Sequence, residues 1–253
     1  MQGTRTLTLA DAVFPRFDSQ RRVLVLARDL ALMAGFAAFV ALCAQVQMRL
    51  PWTTVPITAQ TFGVLVAGGA LGAWRGAGAM ALYAVAGMFL LPVFTPAGAQ
   101  TTGAWDLHLV LPWRGNERVI WELSSGGYIA GFVLAAAVVG FLAERRWDRG
   151  PWVHLAMLLG NVALYLPGLL WLSYLIGTDW VAPGGSKPLG DLIAGSDTLD
   201  KTLKGGLYPF IVGDLMKLLL AALALPAAWL AVDRRSVRPA KPAPYVPEST
   251  RPG

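Results

Sequence analysis

Long apolar runs separated by short polar breaks dominate this chain. The first runs from about Val23 to Val46 and is interrupted near its start by Arg28 and Asp29. The second, about Ile57–Trp74, is broken by Gly63, Gly68, Gly69 and Gly72. Arg75-Gly76 makes the tight connection to the third, about Ala77–Phe94. The fourth, about Gly126–Ala143, reads GGYIAGFVLAAAVVGFLA, and the charged run Glu144–Arg149 separates it from the fifth, about Pro151–Gly177. The sixth, about Gly206–Val232, contains Asp214 and Lys217. One crossing of a bilayer takes about 20 apolar residues. Six runs therefore predict an all-α integral membrane protein with six transmembrane helices. The second is the weakest of them, because a Gly-rich stretch breaks or kinks readily.

This pattern divides the chain into an N-terminal segment 1–22, a six-helix membrane domain 23–232 and a tail 233–253. The first segment is polar, contains Pro15 and is not followed at once by an apolar core, so it does not read as a standard signal peptide. The tail is Pro-rich and polar from Ser236 onwards, which reads as disordered.

Composition agrees with the pattern: of 253 residues 55% are hydrophobic and 14% charged, against about 25% charged in a soluble domain. The net charge is +6. With six crossings both termini share a side, and that side holds fourteen of the 21 Lys and Arg, the other side six. The positive-inside rule then places both termini in the cytoplasm of a multi-pass cell-membrane protein and explains the basic excess without nucleic acid. The two longest loops, 95–125 and 178–205, fall outside.

Several chemistries are set aside. The single cysteine, Cys43, forms no internal disulfide and reads as packing. His108 and His154 are far apart and no HExxH pattern occurs, so no metal site is expected. No GxxxxGK[ST] sequence occurs, so the chain does not itself bind ATP in the P-loop manner.

The chemistry that remains centres on Gly213-Asp214-Leu215-Met216-Lys217. A charge near a bilayer centre costs about 2.5–3.5 kcal/mol on insertion scales, so two within one helical turn require compensation. At i and i+3 they lie about 60° apart and share a helix face. They either neutralise each other or line a polar ligand site, with Asp214 accepting from N–H groups and Lys217 donating to a carboxylate or carbonyl. The short distance from the outer end of the run makes such a site open outward. In Val55-Pro56-Ile57-Thr58-Ala59-Gln60-Thr61, three polar side chains meet a helix start, where ordinary capping is the competing explanation. In Ser124-Ser125-Gly126-Gly127-Tyr128, adjacent glycines admit a close ligand or simply form a flexible junction, and Tyr128 also suits a membrane interface. In the first run Ala27, Ala31 and Gly35 recur every four residues, as do Ala34 and Ala38. Such spacing lets helices pack closely, within the chain or against a partner.

Three of these segments resemble one known family. VPITAQTFGVLVAGGALGAWRGAGAMALYAVAGMFLLPVF (55–94), SSGGYIAGF (124–132) and PFIVGDLMK (209–217) are similar, in this order, to blocks of BioY, the biotin-specific substrate-binding (S) component of energy-coupling factor (ECF) transporters. The resemblance covers residues 23–232. Ser124-Ser125 stand where the family usually has Pro-Thr, and both long loops exceed the usual length.

The resemblance implies a transport protein, not an enzyme, with biotin as transported ligand and no cofactor. It implies high-affinity capture from outside the cell and association in the bilayer with a coupling (T) transmembrane protein and two ATPase subunits. It leaves a homo-oligomer open. On this reading Asp214 accepts from the ureido N–H groups, and Lys217 donates to the ureido carbonyl or to the carboxylate. Thr58 and Gln60 cap the ligand, Gly126, Gly127 and Tyr128 line the other wall, and Tyr83 and Phe94 give aromatic contact. Ala27, Ala31, Ala34 and Ala38 face the coupling protein. The competing functions are an S component for another vitamin and a small membrane enzyme using Asp214 and Lys217 as an acid–base pair.

Overall fold

The computed structural model describes residues 7–14, 21–95 and 106–236. Residues 237–253 of the tail, Arg5, Arg16 and the segment 96–105 of the first long loop lie outside the described residues, whereas residues 233–236, placed in the tail by the sequence, are the last turn of a helix.

A five-residue helix, α1 (Leu9–Val13), precedes the first apolar run. The runs then hold α2 (Arg22–Gln45), α3 (Gln60–Leu71), α4 (Ala73–Phe89), α5 (Gly126–Ala143) and α6 (Val153–Gly177). A short amphipathic α7 (Thr198–Gly206) leads to α8 (Ile211–Ser236). Among the described residues four stretches are long and apolar enough to cross a membrane: α2, α5, α6 and the segment Thr198–Arg234. The second run yields only the 12 residues of α3, about 18 Å of helix at about 1.5 Å per residue, against about 30 Å of hydrocarbon.

Two expectations need correction here. The first concerns the link between the second and third runs. The chain turns at Gly72, whose φ of +84° is costly for any residue with a Cβ. A Cβ there would also lie 2.6 Å from Glu144 Oε1, the carboxylate oxygen that accepts from Ala73 N at the start of α4. Arg75 is not in the connection. It sits in the first turn of α4 and points inward, because its guanidinium finds Leu71 O, Thr8, Asp11 and Asp29 there.

The second correction is that the fold is not purely helical. Three short strands, β1 (Gln47–Arg49), β2 (Ile57–Thr58) and β3 (Asp106–His108), form an antiparallel sheet with β1 in the middle, pairing Gln47 with both Thr58 and His108. Strands of two or three residues are too short to display an alternating pattern.

Helix α3 packs against α2, α4, α5 and α8, which makes it the centre of the molecule; Val64, Leu65 and Ala67 have no exposed surface. The outside is apolar as well. Leu166 and Leu170 of α6 and Val212 and Leu223 of α8 are 60–72% exposed, as expected of apolar side chains that face lipid rather than water.

At the end of the bundle away from the sheet, α1 is clamped by charge. Asp11 accepts from Arg75, Arg28 and Thr8. Burial pushes its carboxyl up, but the hydrogen bond and charge of Arg75, helped by Thr8 and Arg28, outweigh this and hold it well below its ordinary value of 3.8. A lowered carboxyl contributes stability that is fully present above the unfolded value and is lost as the pH falls through the folded one. Asp11→Asn is expected to lower the thermal midpoint of the detergent-solubilised protein at about pH 7, through loss of about 1–3 kcal/mol of charge-assisted bonding. The gap to the parent should narrow as the pH drops below 3.8. A gap that stays constant down to about pH 2.5 would show that the charge of Asp11 is not what holds α1.

Candidate functional site

The sheet and α7 lie at the end of the bundle where α8 begins. Helix α8 starts directly after a tight turn at Tyr208–Phe210, with Asp214 in its first turn and Lys217 one turn on. A carboxylate near a helix N-terminus is favoured by the unpaired N–H groups there. Asp214 is 3% exposed and is held from three directions. Lys217 pairs with Oδ1, Thr61 of α3 reaches Oδ1 at 3.5 Å, and Tyr165 of α6 donates to Oδ2 at 2.6 Å. Lys217 Nζ also donates to the carbonyl oxygen of Thr58, 2.9 Å away, at the end of β2. A buried ion pair persists only where further hydrogen bonds offset its desolvation, and these neighbours supply them.

The pair lies on the wall of a recess of about 630 Å³ not filled by atoms, solvent at its mouth included. Six of the residues expected at a site line it together: Thr58, Gln60, Phe94, Tyr128, Asp214 and Lys217. Val55, Ile129, Phe132, Leu164 and Phe210 make much of the remaining wall apolar.

The other three expected residues do not reach it. Tyr83 is 1% exposed and lies behind Gln60. It accepts from Gln60 Nε2 at 2.8 Å, donates to Val93 O at 3.2 Å and stacks edge-on against Phe94. Its role is to orient Gln60 and Phe94. Gly126 and Gly127 open α5 but face its neighbours. A Cβ on Gly126 would overlap Ile120 O, and one on Gly127 would lie 2.2 Å from Trp171 Cβ and 2.5 Å from Pro167 O. Gly126 admits the Ile120 carbonyl and Gly127 lets α5 and α6 approach, and of Gly126, Gly127 and Tyr128 only the tyrosine lines the recess.

Four further lining residues lie outside the expected set. Tyr165 reads as one more aromatic in an apolar run. Thr95 donates to Gln60 Oε1 at 3.0 Å. Ser125 precedes α5 at the recess wall. Asn116 comes from the long loop, where no periodicity marks it. A two-strand bridge between Phe94 and Asn116 brings it to the recess, and its Nδ2 donates to Thr95 O. Its Oδ1 is buried with no hydrogen-bond partner among the described residues, which is costly unless a ligand or water supplies a donor.

The alanines of α2 lie elsewhere. Ala27, Ala31, Ala34 and Ala38 are all exposed, whereas Leu32, Met33, Ala37 and Val40 of the same helix are buried. The stripe is therefore not used in packing this chain.

Chemically, the recess offers anionic and neutral acceptors (Asp214, Asn116 Oδ1), one cationic donor (Lys217) and apolar or aromatic walls. Such a set fits a small ligand with both N–H donors and oxygen acceptors on an apolar frame. Among the described residues no group of three or more His, Cys, Asp or Glu is arranged to hold a metal ion.

Comparison with known proteins gives this geometry a context. The family model of the BioY family matches residues 15–105 and 118–234. The biotin transporter BioY of Rhizobium etli is 31% identical over 205 residues, which cover 78% of this chain and 90% of that protein. The biotin transporter BioY of Thermotoga maritima is 30% identical over 190 residues, covering 74% and 89%. These relatives are transporters, not enzymes. The fold is also similar to the crystal structure of the S-component for biotin from an ECF-type ABC transporter, with a TM-score of 0.60 and 19% identity over 85% of this chain and 95% of that one. On the extent of the family match, the chain belongs to the BioY family.

Proposed function

We propose that this chain captures biotin from outside the cell as the substrate-binding component of an ECF-type transporter. The observation that carries the reading is the Asp214–Lys217 pair set into an otherwise largely apolar recess. Biotin has two ureido N–H groups, a ureido carbonyl, an apolar thiophane ring and a carboxylate. Asp214 accepts from the ureido N–H groups, Lys217 donates to the ureido carbonyl or the carboxylate, and Phe94, Tyr128 and Phe132 enclose the ring. Thr58 and Gln60 close the site near its mouth, with Asn116 Oδ1 as a further acceptor.

In this reading the protein crosses the cell membrane six times. Both termini lie in the cytoplasm and the recess opens outward. The α3–α4 hairpin supplies the second and third crossings. Energy comes from separate subunits, a transmembrane coupling protein and two ATPases. The exposed alanines of α2 support a helix–helix interface with the coupling protein.

Calorimetric titration of the purified, detergent-solubilised protein tests the proposal. Tight binding of biotin near one-to-one, with no heat from other vitamins, is the expected result. A folded sample that ignores biotin but binds another vitamin would keep the transport role and overturn the ligand.

A further inference from the structure

The two oxygens of Asp214 have different partners. Oδ1 is shared between Lys217 of the same helix and Thr61 of α3. Oδ2 takes the hydroxyl of Tyr165, on α6, at 2.6 Å. The neighbouring tyrosine is engaged elsewhere. Tyr128 donates to Gly206 O at 2.8 Å, and its ring packs edge-on against that of Tyr165. The torsion that sets a carboxylate plane has a broad, nearly two-fold profile, so an Asp side chain does not by itself fix which oxygen faces a ligand. A short bond to one oxygen from a ring wedged between helices does fix it.

We propose that Tyr165 is a positioning residue for ligand capture. Its hydroxyl locks the plane of the Asp214 carboxylate, so that Oδ1 is presented to a ureido N–H while Oδ2 stays engaged with α6. The inference rests on the biotin reading above. Without the hydroxyl, Oδ2 loses its partner in a buried position, and the carboxylate turns further onto Lys217. Oδ1 is then no longer held in the direction from which a ligand N–H would approach.

The test is titration with biotin of the parent, Tyr165→Phe, Asp214→Asn and the double variant, with thermal midpoints measured on each ligand-free sample. Tyr165→Phe is expected to bind about 10–100-fold more weakly, the range for one hydrogen bond to a charged group. Its midpoint should stay close to that of the parent. If the hydroxyl acts through Asp214, the double variant binds no more weakly than Asp214→Asn alone. Tyr128→Phe is the comparison: it touches a backbone carbonyl instead, so its loss should multiply with that of Asp214→Asn. Tyr165→His keeps a ring and an N–H donor and should recover part of the affinity.

Parent-like affinity in Tyr165→Phe would overturn the inference while leaving the biotin reading in place. So would losses that multiply in the double variant, or a Tyr165→Phe protein that does not fold. A folded parent that fails to bind biotin would overturn both.

Discussion

Asp214→Asn should weaken biotin binding about 100–1,000-fold, about 3–4 kcal/mol. The substitution conserves shape and removes the charge. It leaves Lys217, whose side chain is 12% exposed, as an uncompensated cation, and it replaces an acceptor with a group that also carries donors. Ligand N–H groups then meet a weaker acceptor, while Lys217 leans on the Thr58 carbonyl alone among its present partners. Lys217→Met should do less harm, about 10–100-fold, because Asp214 keeps Tyr165 and Thr61.

The double variant Asp214→Asn/Lys217→Met separates two explanations of the pair. Replacing a whole buried pair by neutral groups of similar volume often leaves stability unchanged or improved. The double variant should therefore regain the thermal midpoint lost in Asp214→Asn, yet bind biotin no better than that variant does. If instead it bound biotin like the parent, mutual neutralisation would be the pair's only purpose and the ligand site would have to be sought elsewhere.

How legible these features are in the sequence follows from the length scale of their signals. A run of about 20 apolar residues can be read without a structure, because a helix of that length buries or exposes its side chains as one unit. That is why each run holds one helix. The link between α3 and α4 is harder. A break between two apolar helices draws the eye to the charged Arg75, but the backbone needs a residue free to take positive φ, and Gly72 provides it. Arg75 is then free to act as a buried clamp for Asp11 and Asp29, a role that depends on α1 and α2 arriving from elsewhere in the chain.

The residues of the recess and its surroundings divide in the same way. Asp214 and Lys217 stand out because ionisable groups are expensive in an apolar run. Thr58 and Gln60 stand out because three polar groups meet at a helix start. Tyr165 carries no such mark, since a tyrosine in an apolar helix is ordinary, and only the packing of α6 against α8 reveals its bond to Asp214. Asn116 depends on a single bridge with Phe94 across a long loop. Gly126 and Gly127 carry a strong local signal that admits two meanings, and the proximity of Trp171 and Pro167 selects helix packing.

Replacing both Ala31 and Ala34 with Leu should reduce biotin uptake by cells about tenfold or more while leaving binding to the purified protein unchanged. Both alanines are exposed on α2, one turn from each other on the stripe, and Gly35 beside them has nothing within 4 Å of where a Cβ would stand. This face of α2 is open, and the recess lies between α3, α5, α6 and α8. Within a membrane the apolar effect does not separate helix–helix from helix–lipid contact, so close approach of small residues is what favours a partner. Two leucines push a docked helix from about 8 Å towards about 10 Å of axial separation, and overpacking of this kind costs about 1–3 kcal/mol. A partner held by a modest interface is lost at that cost, and with it the link to ATP hydrolysis. Uptake of labelled biotin should therefore fall while the calorimetric Kd stays at the parent value. Equal uptake in parent and variant would mean that the alanine stripe faces only lipid, and that the coupling protein docks on another face of the bundle.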